Sequence, residues 1–197
     1  MRVISVNTNG IRAAAKKGFY EWLKKINADI VCIQETKAQE DQLTHEQYKP
    51  DNYYCHYHDA VKKGYSGVAI LTKAEPDHVQ AGMGIQQYDA EGRFIRADYG
   101  DVSIVSVYHP SGSSGDERQA FKMQWLEDFE AYVNQIKKER PNLILCGDYN
   151  ICHKPIDIHC IPTQPIPILF IDANTAWLSQ PGSMINSNTA TDGRSTR

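Results

Sequence analysis

The sequence predicts an α/β fold of the layered α+β type, and three observations support this class. The chain opens with a strand, helix, strand order over residues 3–35. Short strand candidates then follow one another between residues 53 and 109 without intervening helices, which indicates an antiparallel portion of sheet rather than a doubly wound parallel one. A long helical pattern from Asp116 leads into one more apolar strand.

The N-terminal part of the chain repeats one pattern twice, a buried strand followed by a polar side chain. Residues 3–7 predict a strand that ends in a carboxamide, and residues 29–35 predict a second strand that ends in a carboxylate. Between them, apolar side chains fall three or four positions apart, which predicts one helix over residues 11–26 with a single buried face. That face contains Ile11, Ala15, Phe19, Trp22, Leu23 and Ile26. Residues 37–50 predict a short helix with a loop.

The rest of the pattern consists of short strands, one long helix and a final strand. The central strand candidates are residues 53–58, 67–72, 78–82, 93–99 and 102–109. The long helix begins at Asp116 and ends before Pro141, and we predict that its aromatic stripe packs in the core rather than forming an aromatic binding box. Four apolar residues then run into Gly147, which predicts a buried strand with Asp148 and Asn150 at the rim of a sheet.

Composition limits the class of protein. The chain has 197 residues, of which 41% are hydrophobic and 23% charged, as expected for a single globular domain. No apolar run reaches the ~20 residues of a membrane helix, and no signal peptide precedes the first strand. Five cysteines form an odd set without metal-type spacing, so we expect reduced thiols and a cytoplasmic location. The net charge of −3 leaves nucleic-acid binding open, and we expect a monomer.

Several predicted strands end in side chains that could act together. These are Asn7, Glu35, Tyr108 and the pair Asp148 and Asn150. If the strands lie in neighbouring sheets with matching ends, two carboxylates and two amides converge on one rim. Such an oxygen-rich site suits Mg²⁺, with Mn²⁺ as the alternative. A metal, a base and neutral donors on one rim suit phosphodiester hydrolysis.

Five short motifs, in order and at fitting spacing, extend this interpretation. They are Val-Asn-Thr-Asn-Gly-Ile-Arg (6–12), Ile-Gln-Glu-Thr-Lys (33–37), Gly-Tyr-Ser-Gly-Val-Ala (64–69), Tyr-His-Pro-Ser-Gly (108–112) and Gly-Asp-Tyr-Asn (147–150). Together they resemble the exodeoxyribonuclease III family of abasic-site (AP) endonucleases, within the endonuclease/exonuclease/phosphatase superfamily. The resemblance implies a four-layer α/β/β/α sandwich. It also implies Mg²⁺-dependent cleavage of duplex DNA at abasic sites and from 3′ ends.

The resemblance also assigns roles to the residues at the rim. Glu35 matches the main metal carboxylate of the family, and Asn7 helps to hold that site. Asp148 matches the proton acceptor that activates water, and Asn150 matches the amide that orients the phosphate and stabilises the transition state. Both are also expected beside the metal. Tyr108 matches the phenol that approaches the scissile phosphate.

Four further residues are expected to contact the DNA backbone. Arg12 and Lys37 belong to the first two motifs, and Tyr65 and Ser66 lie in the Gly-Tyr-Ser-Gly motif. The expected partner is double-stranded DNA, especially abasic sites and 3′ ends, and no membrane partner is expected.

The chain departs from the family after His159. Residues 160–197 contain no Lys and no Glu and hold four of the nine prolines. The family continues with a second half that supplies further active-site residues, including an Asp and a Ser-Asp-His segment, and neither occurs here. We therefore predict residues 1–159 to be the N-terminal part of a nuclease domain and residues 160–197 to be a frameshifted, largely disordered tail.

This departure leaves the activity of the chain itself in question. With the second half missing, we expect an inactive fragment of a DNA-repair nuclease. A genuine variant terminus is the alternative to a frameshift. The alternative functions are a superfamily phosphatase that acts on small phosphoesters and a non-catalytic DNA-binding remnant.

Overall fold

The computed structural model describes residues 1–112 and 114–151, and these residues form two four-stranded β-sheets. The first sheet has the spatial order β1 (Val3–Asn7), β2 (Ile30–Gln34), β4 (Val68–Thr72) and β3 (Tyr54–His58). The second has the order β5 (His78–Ala81), β6 (Phe94–Tyr99), β7 (Val102–Tyr108) and β8 (Asn142–Asp148). Strands β1 and β2 are parallel, as are β7 and β8, and the other neighbours are antiparallel.

Helices cover the outer faces of both sheets. They are α1 (Ile11–Lys16), α2 (Phe19–Ile26), α3 (Gln86–Asp89) and α4 (Asp116–Glu139). Two short 3₁₀ turns, Glu40–Leu43 and Glu46–Tyr48, occupy the region predicted as a short helix with a loop. In the part of the chain that the structure describes, none of the helices is both long and apolar enough to span a bilayer.

Three apolar clusters hold the layers together, and their membership follows the alternation of side chains along the strands. Ile11 and Leu23 of α1 and α2 pack on the outer face of the first sheet. Trp125 and Phe129 of α4 pack on the outer face of the second sheet. Between the sheets lie the inward side chains Ile30, Cys32, Val68, Ile70, Ile95, Ala97, Ile104 and Cys146. This arrangement confirms the predicted α/β/β/α layering and the core role of the aromatic stripe of α4.

The prediction of one helix over residues 11–26 is wrong, because the helix breaks at Gly18. Gly18 adopts a left-handed conformation with φ of 88°, and its N–H bonds to the carbonyl of Ala15. The chain therefore changes direction before α2, and the two helices do not share one continuous face. Trp22, which was assigned to the buried face, is 38% exposed, whereas Phe19 and Leu23 are buried.

The strand predictions agree with the structure within one or two residues, and the short helix α3 was not predicted. In the described part of the chain, β1 and β8 each pair with a strand on one side only. The predicted boundary at residue 159 and the predicted frameshifted, disordered tail at residues 160–197 lie outside the described residues.

Candidate active site

The ends of four strands meet where the two sheets pack together. Parallel neighbours end at the same edge of a sheet, so β1 and β2 bring Asn7 and Glu35 together, and β7 and β8 bring Tyr108 and Asp148 together. Asn7 joins the two groups. Its Nδ2 donates to Glu35 Oε1 at 2.7 Å and to Asp148 Oδ2 at 2.8 Å. One amide thus bridges two carboxylates that belong to different sheets.

Glu35 is held by three donors. Besides Asn7, the ammonium of Lys37 lies 2.6 Å from Glu35 Oε2, and the phenol of Tyr108 donates to the same carboxylate. Burial alone would raise the pKa of Glu35, but the hydrogen bonds from Asn7 and Lys37 outweigh it, and the pKa lies below its ordinary value. Glu35 is therefore an anion at neutral pH, as a metal ligand requires.

Tyr108 is a neutral donor in this site. Burial, followed by the negative charge of Glu35, raises the pKa of its phenol well above the ordinary value. The hydroxyl therefore keeps its proton at neutral pH and can donate to an oxygen that carries negative charge.

Asn150 is fixed by contacts on its side chain and on its backbone. Its Nδ2 donates to the carbonyl of His109 at 2.9 Å, and its own carbonyl accepts from Lys122 Nζ at 2.6 Å. Its backbone N–H reaches Asp148 Oδ1 at 3.3 Å. The structure therefore places Asn150 beside Asp148, but with its amide directed to His109 rather than to Glu35 or Asn7.

Backbone strain is concentrated at the predicted site. Among the described residues other than glycine and asparagine, three have a positive φ: Glu35 at 54°, Lys37 at 47° and Ser66 at 46°. All three were singled out from the sequence as site residues. Such conformations cost roughly 1–3 kcal/mol each and persist where surrounding contacts enforce them. Here the two segments bond to each other, because the Lys37 N–H donates to the Ser66 carbonyl at 2.8 Å.

The residues at this rim fit a weakly held Mg²⁺. This ion takes one or two carboxylates and retains several waters. Glu35 and Asp148 supply two carboxylates within reach of one amide, and Lys37 is the cation that now offsets the charge of Glu35. Among the residues described, no cluster of three or more His, Cys, Asp or Glu side chains suited to a metal occurs.

The predicted DNA contacts divide into two groups. Arg12 and Lys37 line a depression of about 440 Å³ that is also lined by Lys16, so this surface is basic. Tyr65 and Ser66 are engaged inside the protein. The Tyr65 hydroxyl accepts hydrogen bonds from two arginines, and Ser66 is buried at 1% exposure.

Sequence reasoning missed the buried charged residues around the site, notably Arg93 and Lys122. Arg93 is 2% exposed and Lys122 is 5% exposed. A signal for Lys122 was available, since Lys122 precedes Trp125 and Phe129 at helical spacing and so continues the buried stripe of α4 towards its start. Arg93 gave no signal of this kind, because its place at the start of a predicted strand does not distinguish it from an exposed arginine.

Comparisons with known proteins identify the family and support the fold. The sequence profile of the endonuclease/exonuclease/phosphatase family matches residues 4–159. The chain belongs to this family. It is 42% identical to an exodeoxyribonuclease of Bacillus subtilis over 159 residues, which cover 80% of the chain and 62% of that protein. It is 40% identical to the DNA repair nuclease APEX1 of Danio rerio, with coverage of 80% of the chain and 51% of that protein.

Solved structures of the family show the same fold. An AP endonuclease from Archaeoglobus fulgidus matches with a TM-score of 0.71 and 30% identity, over 81% of the chain and 61% of that protein. The chain thus spans between one half and two thirds of the length of these members of the endonuclease/exonuclease/phosphatase family.

Proposed function

We propose that this chain is the N-terminal part of a Mg²⁺-dependent DNA-repair nuclease that hydrolyses phosphodiesters at abasic sites and from 3′ ends of duplex DNA. The observation that supports the proposal best is the Asn7 amide that bridges Glu35 and Asp148 across the two sheets. The names of the Bacillus subtilis and Danio rerio relatives, an exodeoxyribonuclease and a DNA repair nuclease, point to DNA as the substrate. Mg²⁺, when bound, would polarise a phosphoryl oxygen of the scissile phosphate.

Each residue at the rim has a defined task in this proposal. Glu35 and Asn7 would hold the metal. Asp148 accepts a proton from the attacking water, and the hydrogen bond from Asn7 orients its carboxylate for this transfer. Asn150 and the neutral phenol of Tyr108 donate to phosphate oxygens as negative charge develops on them.

Substrate binding in this proposal depends on the basic depression lined by Arg12, Lys16 and Lys37. A duplex backbone lying along this surface would gain affinity through phosphate contacts, and that affinity would fall with added salt. We further propose that the protein acts as a monomer in the cytoplasm. The free thiols of Cys32, Cys55 and Cys146 are consistent with a reducing compartment.

We also propose that the 197-residue chain alone does not cleave DNA, since it spans only part of the length of its relatives. Residues 160–197 are proposed to result from a frameshift, which sequencing of codons 158–165 in the source DNA tests directly. An uninterrupted reading frame shared by close relatives would contradict it.

The decisive experiment compares the chain with a chimera. Residues 1–150 are joined to the part of the Bacillus subtilis exodeoxyribonuclease that follows the matching region. Both proteins are incubated with a duplex that contains one tetrahydrofuran abasic site, with Mg²⁺ or with EDTA. The chimera is expected to cleave only with Mg²⁺, and Asp148→Asn is expected to slow cleavage by roughly 10²–10⁴-fold. The 197-residue chain is expected to leave the duplex intact.

Three results would contradict these proposals. Cleavage by the 197-residue chain would contradict the inactive fragment. Hydrolysis of small phosphoesters but not of duplex DNA by the chimera would favour the phosphatase alternative. Retention of the duplex in a gel shift without cleavage by the chimera would favour the DNA-binding remnant.

A further inference from the structure

A partly buried ionic network of Glu91, Arg93 and Arg118 contacts Tyr108 through Arg93. The carboxylate of Glu91 accepts from Arg93 Nε at 2.6 Å and from Arg118 Nη1 at 2.8 Å. Burial alone would raise the pKa of Glu91, but the hydrogen bonds from Arg118 and the positive charge of Arg93 outweigh it and hold this pKa below its ordinary value. Two cations therefore share one partly exposed carboxylate, and only Arg93 is almost fully buried. Removing the Arg93 guanidinium from water costs free energy that its ion pair with Glu91 must offset.

Arg93 connects this network to Tyr108 in three ways. Its Nη1 donates to the Tyr108 carbonyl at 3.0 Å, and its own carbonyl accepts the Tyr108 N–H at 2.9 Å. Its guanidinium carbon lies 4.9 Å from the centre of the Tyr108 ring. A cation at this distance attracts the ring face, so the guanidinium favours one orientation of the phenol. Arg93 thus fixes both the backbone and the ring of Tyr108.

The other arm of the same guanidinium reaches a different segment. Arg93 Nη2 donates to the Tyr65 hydroxyl at 3.0 Å, and Arg118 Nη2 donates to the same oxygen at 3.2 Å. Tyr65 lies in the loop of residues 64–67, which we call the 64–67 loop. The planar guanidinium of Arg93, whose donors have a fixed geometry, therefore links this loop to Tyr108, and Arg118 adds a second hydrogen bond to the loop.

We propose that Glu91, Arg93 and Arg118 are positioning residues that couple the 64–67 loop to the phenol of Tyr108. A displacement of the Tyr65 hydroxyl changes the hydrogen bonds of Arg93, and Arg93 passes the change to the Tyr108 ring. Occupancy of the loop by a DNA backbone would then adjust the donor at the scissile phosphate. The coupling itself is a property of the folded chain, and only its use in catalysis rests on the proposed function.

The test places 3-fluorotyrosine at position 108 of the 197-residue chain and records its ¹⁹F resonance without DNA or metal. Tyr65→Phe removes the hydroxyl that accepts from both arginines but keeps the ring. This substitution is expected to shift the resonance by more than its linewidth. Arg93→Lys keeps the positive charge but loses the planar set of donors that contacts Tyr65 and Tyr108 together. In the Arg93→Lys background, Tyr65→Phe is expected to cause no further shift, as in a double-mutant cycle with full coupling.

Arg96→Gln provides the matched control. Arg96 lies in β6, the strand that begins directly after Arg93. It is largely buried and forms an ion pair with Asp98 at 3.0 Å. The control should lower the thermal unfolding midpoint and leave the resonance of position 108 unchanged. Loss of stability alone would therefore not imitate the expected result.

Two outcomes would overturn the proposal. One is an unchanged resonance after Tyr65→Phe in the otherwise unaltered chain. The other is an equal shift in the Arg93→Lys background, because the effect would then bypass Arg93. Failure of the proposed function is distinguishable from both, since a chimera that does not cleave DNA leaves the ¹⁹F result unaffected.

Discussion

Acidification should destabilise this protein through one histidine. His109 is fully buried between the rings of Phe129 and Tyr149, whose centres lie 4.8 and 4.9 Å away. Its Nδ1 accepts from Trp125 Nε1 at 3.0 Å, so the neutral ring carries its proton on Nε2. Protonation would place a second donor against the Trp125 N–H. Burial, followed by the charges of Arg93 and Lys122, lowers the pKa of His109 to about 3.

The direction and size of the effect follow from the difference in proton binding. In the unfolded chain the histidine titrates near ~6.5, so below that pH the unfolded state binds about one proton more than the folded state. The free energy of unfolding is unaffected above this range and falls as the pH drops from about 6.5 towards 3. Between pH 7 and pH 5 the loss amounts to about 2 kcal/mol, and at pH 4 it exceeds about 3 kcal/mol.

The measurement is urea unfolding at pH 7, 6 and 5, followed by tryptophan fluorescence because Trp125 contacts His109 directly. The control is His109→Asn, whose Oδ1 can accept from Trp125 but does not titrate. The variant should be less stable than the unaltered protein at pH 7. Between pH 7 and pH 5, its free energy of unfolding should fall by about 2 kcal/mol less than that of the unaltered protein. Equal losses in both proteins would refute the assignment of the pH dependence to His109.

Three further predictions concern residues near the site. Ser106→Ala removes a buried hydroxyl that accepts from Gln34 Nε2 at 3.1 Å and donates to a β2 carbonyl. The free energy of unfolding measured with urea should fall by about 2–3 kcal/mol. An unchanged free energy of unfolding would show that the two sheets do not depend on these hydrogen bonds. Lys37→Met removes the ammonium 2.6 Å from Glu35 and should tighten Mn²⁺ binding about tenfold, because it removes a competing positive charge. The binding is measured from the electron paramagnetic resonance signal of free Mn²⁺. Weaker binding would show that the lysine helps to build the site. Gly92→Ala should destabilise the fold by at least about 2 kcal/mol, because φ is 58° and a Cβ would lie 2.6 Å from the neighbouring loop backbone; a wild-type unfolding midpoint would contradict this.

The residues at the strand ends could be brought together from sequence because they obey short-range rules. A run of apolar residues that ends in Glu35 or Asp148 identifies a strand end without any knowledge of the partner strand. Parallel pairing then places neighbouring ends at one edge. The motifs supplied what these rules cannot, namely that the two edges belong to sheets that face each other.

The network around Arg93 could not be predicted in this way. Its partners Tyr65 and Tyr108 lie 28 and 15 positions away, on a loop and on another strand. Whether an arginine is buried depends on what packs over it, and that is decided by tertiary contacts rather than by local pattern. The break at Gly18 was missed for a related reason, since apolar spacing of three and four continues through a left-handed glycine that ends the first helix.

The bridge from Asn7 to Asp148 has a consequence for the order of events during synthesis. The two residues are separated by 141 positions, so the first and the last strand of the described chain must both be present before the two carboxylates share one amide. A ribosome would have to release nearly the whole of this region before the site could exist. Contacts between residues so far apart in sequence form slowly, because the chain loses the entropy of closing a long loop before the contacts contribute any stabilising free energy. A nascent chain that has made only the first sheet therefore carries Glu35 without Asp148, the second carboxylate that the Asn7 amide binds.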